Sequence, residues 1–313
     1  MNLVVTGATS FLGAPMAEYC LEQGHRVFAV VRPASKNMAQ AETLQMRFPS
    51  RMVLIPMNLE DLEKIPELVK EPCQVWIHFG WDGAGSGNRT QQAIQQKNVG
   101  DSLCALKGAA ALGCRRFLFS GSQAEYGIRD SLMKETDSCH PVSEYGKAKV
   151  EFYRQAVSWL RQQGEREKME YVHTRIFSVY GPGDHPWSLV ETCRKTFSAG
   201  GHMELGACTQ QWNFLYVTEA AELLVKLLLG KAPAGVYNVA GEDTRPLRDY
   251  IEELHRLCGS LGSYHFGDRP PNAEGMVSLM PELTKLKAAV GFTQQIPFSE
   301  GIRRMVQEKK GEI

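Results

Sequence analysis

Tyr145 and Lys149 lie four positions apart in the segment SEYGKAKVE, residues 143–151. Residues at this spacing share one face of a helix, which we expect to begin after Ser143. A free phenol has a pKa of about 10, so it exchanges protons poorly with a hydroxyl or a ketone near neutral pH. A neighbouring ammonium lowers that pKa, and the pair therefore fits acid/base chemistry. The alternative is two surface residues on a solvated helix.

A hydroxyl group is predicted to reach the same place from a neighbouring strand. The apolar run RFLF is followed by Ser120-Gly121-Ser122, so this strand carries Ser122 to the carboxyl edge of the sheet. Ligands of open parallel sheets bind beyond that edge. We therefore assign three candidate catalytic residues: Tyr145 exchanges a proton, Lys149 tunes the phenol, and Ser122 hydrogen-bonds the reacting oxygen.

A phosphate-binding turn is predicted near the start of the chain. The segment TGATSFLG, residues 6–13, lies between an apolar strand and a helix that ends near Gly24, and a second strand follows. In this βαβ context the backbone N–H groups at the helix N-terminus bind a pyrophosphate, and Gly13 lets helix and strand approach closely. Ser10 takes a position normally held by glycine, so the turn must tolerate a β-carbon there. The pattern indicates a dinucleotide whose nicotinamide reaches Ser122 and whose ribose Lys149 holds.

The end of the second strand discriminates between two cofactors. An acidic residue there accepts hydrogen bonds from the ribose of NAD(H), whereas a basic residue favours the 2′-phosphate of NADP(H). This chain has VVRPASK, with Arg32 followed by Ser35 and Lys36. NADP(H) is therefore favoured. NAD(H) is the alternative, in which Arg32 stacks flat on the adenine.

These features together resemble one family. The glycine turn, the serine-bearing fifth strand, Tyr-x-x-x-Lys and RIFSVYGPGD look like the extended short-chain dehydrogenase/reductase superfamily, and more narrowly like its nucleotide-sugar epimerase/dehydratase family. The resemblance runs from Asn2 to about Val306 and includes WNFLYVTEAAELL and GVYNVAGEDTRPL. It implies NAD(P) binding, a sugar nucleotide or related small molecule as substrate, and a homodimer, which is common in the family.

Carried over position by position, the resemblance implies a set of dinucleotide contacts. They come from the glycine turn, the ends of three strands, a helix asparagine that supports the active site and a residue beside the nicotinamide: Gly7, Ser10, Phe11, Leu12, Gly13, Arg32, Asn58, Leu59, Phe79, Gly80, Trp81, Asn98 and Phe177, together with Tyr145 and Lys149. Asn58 stands where the family usually has aspartate near the adenine amino group, and an amide can still accept that hydrogen bond. For Asn98, bracing of a loop is the alternative role.

The resemblance also bears on the reaction. Family dehydratases place an Asp-Glu pair directly after the serine position, where this chain has Gln123 and Ala124. Glu125, next in line, is expected to contribute at most in part, with a surface or loop contact as its alternative role. A 4,6-dehydratase is therefore disfavoured. Arg32 favours a 4-ketoreductase, which exchanges NADP(H) at each turnover, over a 4-epimerase that holds NAD tightly. A dinucleotide sensor would lack the tyrosine or the lysine.

The candidate substrate contacts are Ser122, Gln123, Ser178, Trp212 and Arg269. The resemblance matches Arg269 to an arginine that commonly meets the substrate diphosphate, and Ser178 to a substrate-binding asparagine. Trp212 stands where the family often has another such arginine, so it either stacks on a base or sugar or packs in the core. The glycine-rich loop WDGAGSGNRT is expected to be an adaptable flap or an ordinary flexible crossover.

The elements that must position these residues alternate over the first 180 residues. Helical stretches separate short apolar runs: LVVTG, RVFAVV, RMVLIPM, VWIHFG, RFLFSGS and YVHTRIF. This alternation predicts an α/β fold with a Rossmann-type, doubly wound parallel sheet. We assign residues 1–180 to the dinucleotide-binding domain, to which later segments could return, and residues 181–313 mainly to a smaller, mixed α/β substrate-binding lobe. The ligand is expected between them.

Composition excludes several classes of partner. The 35 basic and 35 acidic side chains give a formal charge of +0, so no global field favours nucleic acid or an anionic membrane. The eight cysteines show no C-x-x-C pair and no zinc-site spacing, so we expect reduced thiols and no metal. The first residues enter a strand at once, and no run approaches the length of a membrane span. We expect a soluble, cytoplasmic enzyme without nucleic-acid or membrane partners.

Overall fold

The computed structural model describes residues 1–85, 87–164, 169–267, 269 and 275–308. The strands are β1 Asn2–Thr6, β2 Arg26–Val31, β3 Met52–Pro56, β4 Val75–His78, β5 Arg116–Ser122, β6 Glu170–Ile176, β7 Ser178–Tyr180, β8 His202–Leu205, β9 Gln211–Tyr216, β10 Gly235–Val239, β11 Thr244–Pro246 and β12 Ser263–Phe266. The helices are α1 Gly13–Glu22, α2 Met38–Arg47, α3 Ile65–Leu68, α4 Gln92–Ala111, α5 Glu144–Gln162, α6 Leu189–Ser198, α7 Val217–Leu229, α8 Leu247–Leu257, α9 Thr284–Val290 and α10 Phe298–Glu308. Short 3₁₀ helices follow β3 and β5, at Leu59–Lys64 and Gln123–Glu125.

Seven parallel strands form the main sheet, in the order β10-β6-β5-β4-β1-β2-β3. The chain starts at β1, builds outward to β3, and then returns to the other side of β1 with β4. The strand order therefore reverses between β1 and β4, and a ligand crevice is expected at the carboxyl ends there. This topology confirms the predicted Rossmann-type parallel sheet.

Both faces of the main sheet are buried, which explains why its strands are continuous apolar runs. Successive side chains of a strand point to opposite faces. Leu3 and Val5 of β1 accordingly pack in one core with α1 and α7, and Val4 packs in the other core with α4 and α5. The two cores hold the sheet rigid, so the loops at its carboxyl edge have fixed starting points.

The helix ends follow the residues that sequence rules assign to them. Ser143 precedes α5, and its hydroxyl accepts a hydrogen bond from the Gly146 N–H at 3.2 Å. Gly113 follows α4 with a φ of 78°, a conformation that favours glycine. The position of the Ser143 cap fixes which residues occupy the first turn of α5, and Tyr145 is one of them.

The later part of the chain contributes to two regions. Strands β11, β9 and β7 form a small sheet, β12 pairs with β8, and helices α6, α8 and α10 pack with them in a third apolar core. In contrast, β10 pairs with β6 in the main sheet, and α7 packs against α1. Helix α7 and strand β10, both beyond residue 181, thus belong to the region built around the main sheet. The domain boundary at residue 180 stays a prediction.

No helix within the described ranges is both long and apolar enough to cross a membrane. All eight cysteines are free, and six of them are buried.

Candidate active site

A cavity of about 1040 Å³ opens where the strands of the main sheet end. Its volume lies at the upper end of the usual range for small-molecule sites. Sixteen of the candidate site residues line it: Gly7, Ser10, Phe11, Leu12, Arg32, Asn58, Leu59, Phe79, Gly80, Trp81, Ser122, Gln123, Tyr145, Lys149, Phe177 and Ser178. The structure thus brings together residues that the sequence spreads over more than 170 positions.

The glycine turn at one end of the cavity fits a phosphate group. Gly7 has a φ of 73°, and a β-carbon there would meet the Phe79 carbonyl carbon at 2.9 Å. A β-carbon on Gly13, which lies behind the turn, would overlap the Gly7 carbonyl oxygen. Ser10 accepts a hydrogen bond from the Gly13 N–H at 3.1 Å, so its hydroxyl caps the start of α1. A tight turn that runs into a helix N-terminus is a geometry that can hold the pyrophosphate of a dinucleotide.

Arg32 lies at the end of β2 and lines the cavity with Ser35 and Lys36. Its guanidinium forms an ion pair of 2.5 Å with Asp82, and both side chains are about half exposed. The Asn98 side chain forms two hydrogen bonds with the Asp82 backbone. Its amide oxygen accepts from the Asp82 N–H, and its NH₂ group donates to the Asp82 carbonyl oxygen, both at 2.8 Å. Asn98 therefore braces the loop after β4 without lining the cavity.

Tyr145 and Lys149 project from α5 toward the end of β5. The Tyr145 N–H donates to the Arg89 carbonyl oxygen at 2.9 Å, and the phenol is half-buried against Trp81, with ring centres 6.0 Å apart. The Lys149 ammonium donates to the Ser120 carbonyl oxygen at 2.7 Å and lies 3.6 Å from the centre of the Trp81 ring. Lys149 is only 2% exposed, so it is not a surface residue of a solvated helix.

Burial lowers the pKa of Lys149 well below its ordinary value. The charge of Glu125 opposes this shift, and the charge of Arg89 adds to it. Removal from solvent is thus the main cause of the lowered pKa of Lys149, and the charges of Glu125 and Arg89 modify it in opposite directions.

Ser122 ends β5 with its hydroxyl at the cavity. The hydroxyl oxygen accepts the Ala124 N–H at 3.2 Å, which leaves the hydroxyl hydrogen to donate to a ligand. The Ser122 N–H donates to the Glu125 carboxylate at 2.8 Å. Ser122, Tyr145 and Lys149 thus line the same cavity, and the Lys149 ammonium lies 5.5 Å from the centre of the Tyr145 ring.

Glu125 is not a surface or loop residue, and that interpretation of the sequence is wrong. Its side chain is 1% exposed and contacts His173 at 2.9 Å and the Arg175 Nε atom at 3.0 Å. Burial alone would raise the pKa of this carboxyl, but His173, Arg175 and the Ser122 N–H together hold it below its ordinary value. Glu125 is thus a buried, charged residue directly behind Ser122.

Several cavity residues escape the sequence analysis. Arg89 comes from the glycine-rich loop, and its guanidinium carbon lies 4.3 Å from the centre of the Tyr145 ring. Trp187 and His185 come from the loop after β7, and their rings stack with centres 4.4 Å apart. A β-carbon added to Gly85 would lie 3.4 Å from the Trp187 ring. The one feature of the sequence that could have indicated these residues is their position in loops that directly follow predicted strands.

Two candidate substrate residues do not line the cavity in the described part of the chain. Trp212, on β9, packs between two apolar cores and against Phe214, with ring centres 6.4 Å apart. Arg269 is exposed, and its backbone N–H donates to the Leu205 carbonyl oxygen at 3.3 Å. Gln123 and Ser178 lie on the cavity wall.

No group of three or more His, Cys, Asp or Glu side chains in the described ranges could hold a metal ion.

A profile of the NAD dependent epimerase/dehydratase family matches residues 3–240. This chain belongs to that family. The match begins within β1, before the glycine turn, and extends through β10, so it includes every strand of the main sheet. It also includes Ser122, Tyr145 and Lys149.

Proteins with different named activities are similar to this chain over most of its length. UDP-N-acetyl-alpha-D-glucosaminuronate decarboxylase from Bacillus cytotoxicus is 21% identical, with 97% of this chain and 96% of the relative covered. UDP-arabinose 4-epimerase 1 from Arabidopsis thaliana is 24% identical over 82% of this chain and 67% of the relative. The solved structure of UDP-glucose 4-epimerase from Thermus thermophilus in complex with NAD has a TM-score of 0.84 at 20% identity, with 100% of both chains covered.

Proposed function

We propose that this protein is an NAD(P)-dependent oxidoreductase that reduces the 4-keto group of a sugar nucleotide. One observation carries the proposal: Ser122, Tyr145 and Lys149 line the same cavity as Gly7, Ser10, Phe11 and Leu12 of the glycine turn. A hydroxyl, a phenol and an ammonium in one cavity are the groups that a carbonyl reduction requires. Membership of a family whose relatives bear nucleotide-sugar names supports the substrate class.

Each of the three residues has a role in the proposed reaction. Tyr145 gives its phenolic proton to the carbonyl oxygen as that oxygen becomes a hydroxyl. Ser122 donates a hydrogen bond to the same oxygen and so fixes its position. The Lys149 ammonium stabilises the phenolate that remains on Tyr145. The bound dinucleotide supplies the hydride that reduces the carbonyl carbon.

The residues after Ser122 argue against a 4,6-dehydratase. Gln123 presents a neutral amide to the cavity, and Ala124 is a buried methyl group. The Glu125 carboxylate is turned away from the cavity and is engaged with His173 and Arg175. None of these three positions therefore offers the acid or the base that elimination of water needs.

The test of the catalytic assignment is Tyr145→Phe. We expect kcat to fall by about a thousandfold, because the exchangeable proton is lost, while the dissociation constant for NADPH stays within about twofold. The assay follows the absorbance of reduced nicotinamide with a panel of UDP- and dTDP-linked 4-keto-6-deoxy sugars. Tyr153→Phe is the matched control, since Tyr153 lies two turns further along α5 and packs against His173. Unchanged turnover in Tyr145→Phe would overturn the proposal.

We propose NADP(H) as the preferred cofactor, on the basis of Arg32 with Ser35 and Lys36 at the end of β2. Arg32→Asp removes the cation that would meet a 2′-phosphate and introduces an acceptor for ribose hydroxyls. We expect NADPH to bind at least about tenfold more weakly in this variant, with a much smaller change for NADH. Fluorescence titration with both cofactors measures the two changes, and equal losses would reject the preference.

A nucleotide-sugar 4-epimerase is the second candidate, favoured by the epimerases among the similar proteins. An epimerase returns the hydride to the same substrate and has no need to release its cofactor. Mass spectrometry of the purified protein distinguishes the two: retained NAD supports the epimerase, and an empty protein that consumes NADPH supports the reductase. A non-catalytic sensor would bind the dinucleotide without turnover of any sugar in the panel. The homodimer and the cytoplasmic location remain predictions.

A further inference from the structure

The buried group behind Ser122 is more extensive than a single ion pair. Glu125 contacts His173 and Arg175, and the Tyr171 hydroxyl contacts the His173 Nδ1 atom at 2.7 Å. The His173 Nε2 atom lies within hydrogen-bond distance of the Glu125 carboxylate, and its Nδ1 atom lies within hydrogen-bond distance of the Tyr171 hydroxyl, so both ring nitrogens have a partner. The chain thus places a carboxylate in the protein interior and fixes it with partners from β6.

Gly121 connects this carboxylate to the catalytic strand. A β-carbon at position 121 would lie 2.5 Å from the Glu125 Oε1 atom and 2.5 Å from the His173 Nε2 atom. The carboxylate therefore fills the space in which the side chain of residue 121 would stand. On either side of Gly121, the Ser120 carbonyl accepts the Lys149 ammonium at 2.7 Å and the Ser122 N–H donates to Glu125 at 2.8 Å. Three consecutive residues of β5 thus join Lys149 to Glu125.

The charges around Lys149 identify the role of this carboxylate. Lys149 is buried against the rings of Trp81, Phe119 and Tyr145. The titratable or charged groups near Lys149 are His78 from β4, Arg89 from the loop after β4 and Tyr145 from α5. Those near Glu125 are Tyr171, His173 and Arg175 from β6, and Cys139, whose sulfur accepts a hydrogen bond from Arg175. Tyr126, after β5, packs against Arg175. In this set of described residues, Glu125 provides the carboxylate and therefore the negative charge.

We propose that Glu125 is a positioning residue for catalysis: it fixes Ser122 at the end of β5 and supplies the buried negative charge that balances the Lys149 ammonium. The inference rests on the proposed roles of Ser122 and Lys149. Glu125 itself does not line the cavity. It acts through the Ser122 N–H and through the electrostatic potential at Lys149.

Nitrogen NMR of the Lys149 side chain tests the charge balance without any substrate or cofactor. Lys149→Met identifies the resonance, and a pH titration then gives its midpoint in each variant. In Glu125→Gln the carboxylate becomes a neutral amide of nearly the same shape, so we expect the midpoint to fall by about one pH unit or more. Glu125→Asp keeps the charge and should recover most of the shift.

Arg175→Gln separates an electrostatic role from a merely structural one. Both Glu125→Gln and Arg175→Gln break the same buried ion pair and should weaken the fold to a similar degree. Arg175→Gln removes a positive charge, however, so it should leave the Lys149 midpoint unchanged or raise it. A decrease in Glu125→Gln without a decrease in Arg175→Gln supports the proposal, and a decrease in both variants, or no decrease in Glu125→Gln, overturns it.

Steady-state assays complete the test and keep this inference distinct from the proposed function. With NADPH and UDP-4-keto-6-deoxyglucose as probe, Glu125→Gln should lower kcat by about ten- to a hundredfold and move the pH profile of kcat, with the NADPH dissociation constant within about twofold. Inactive wild-type protein would reject the proposed function alone, since the Lys149 titration stands without it. Active wild-type protein with an unshifted profile in Glu125→Gln would reject the role of Glu125 alone.

Discussion

At the scale of single residues, the glycine turn shows how one missing side chain shapes a binding site. Gly13 starts α1, and its α-carbon approaches the Gly7 carbonyl so closely that a methyl group has no room. Ser10 occupies the position that is more often glycine, but its backbone needs no positive φ, and its hydroxyl caps Gly13 at 3.1 Å. The turn therefore depends on two glycines and one serine.

Gly13→Ala should disturb this turn and weaken cofactor binding. We expect NADPH affinity to fall by at least about tenfold, because the turn must open to admit the methyl group. Gly100→Ala is the control: Gly100 is exposed in α4 and has no neighbour within 4 Å, so alanine should stabilise that helix by about 0.5–1 kcal/mol. Fluorescence titration and thermal denaturation measure the two effects. Wild-type affinity in Gly13→Ala would contradict this account of the turn.

Residue-level prediction from the sequence succeeds where a short motif and a topology rule suffice. Tyr145 and Lys149 are one helical turn apart, and Ser122 ends a parallel strand, so local spacing and the sheet edge bring them together. Glu125 could not be interpreted in this way, because its partners His173 and Arg175 lie 48 and 50 positions further along the chain. Only the pairing of β5 with β6 brings them into contact.

At the scale of elements, α5 connects the fold to the chemistry. Its N-terminal cap is Ser143, which is 5% exposed, and its first turn carries Tyr145 while its second carries Lys149. Lys149 is also held by the Ser120 carbonyl, whereas the first turn depends on the cap and on the bond from the Tyr145 N–H to Arg89. Loss of the cap should therefore affect Tyr145 more than Lys149.

Ser143→Ala tests this dependence. We expect a loss of about 1 kcal/mol in the free energy of unfolding and a several-fold lower kcat, with NADPH affinity retained. Ser143→Thr keeps a hydroxyl at the cap and should restore both quantities. Urea denaturation and steady-state kinetics on the three proteins provide the comparison. If Ser143→Ala kept wild-type kcat, the cap would have no part in holding the phenol.

Elements of the later region could be predicted only in part. The runs AELLVKLLLG and GVYNVAG indicate α7 and β10, which are long enough to show a pattern. Strands β7 and β11 contain three residues each, too few for any periodicity. Their small sheet depends on pairing with β9, a tertiary contact that no local pattern encodes.

At the scale of the whole molecule, a buried histidine ties stability to pH. His78 ends β4 with no exposed surface, and its ring nitrogens contact the Thr6 hydroxyl at 2.6 Å and the Ser102 hydroxyl at 3.1 Å. Burial and the charge of Lys149 lower the pKa of His78 to about 3, although a hydrogen bond with the Gly80 backbone opposes the shift. The folded protein therefore holds this ring neutral.

The sign of the resulting pH dependence follows from the two states. The unfolded chain protonates His78 near its ordinary pKa of about 6.5, whereas the folded chain does so only near pH 3. Between these values the unfolded state binds more protons, so this group destabilises the fold as pH falls, by at most about 1.4 kcal/mol per pH unit. Above about pH 6.5 its contribution is constant.

We expect His78→Gln, which stays neutral and can bond both hydroxyls, to show a shallower decline in unfolding free energy between about pH 6.5 and pH 4.5. Urea denaturation of both proteins at several pH values in this window measures the two slopes. The substitution also changes packing, which shifts the absolute stability at every pH, so the slopes are compared. Equal slopes would mean that His78 does not couple folding to protonation.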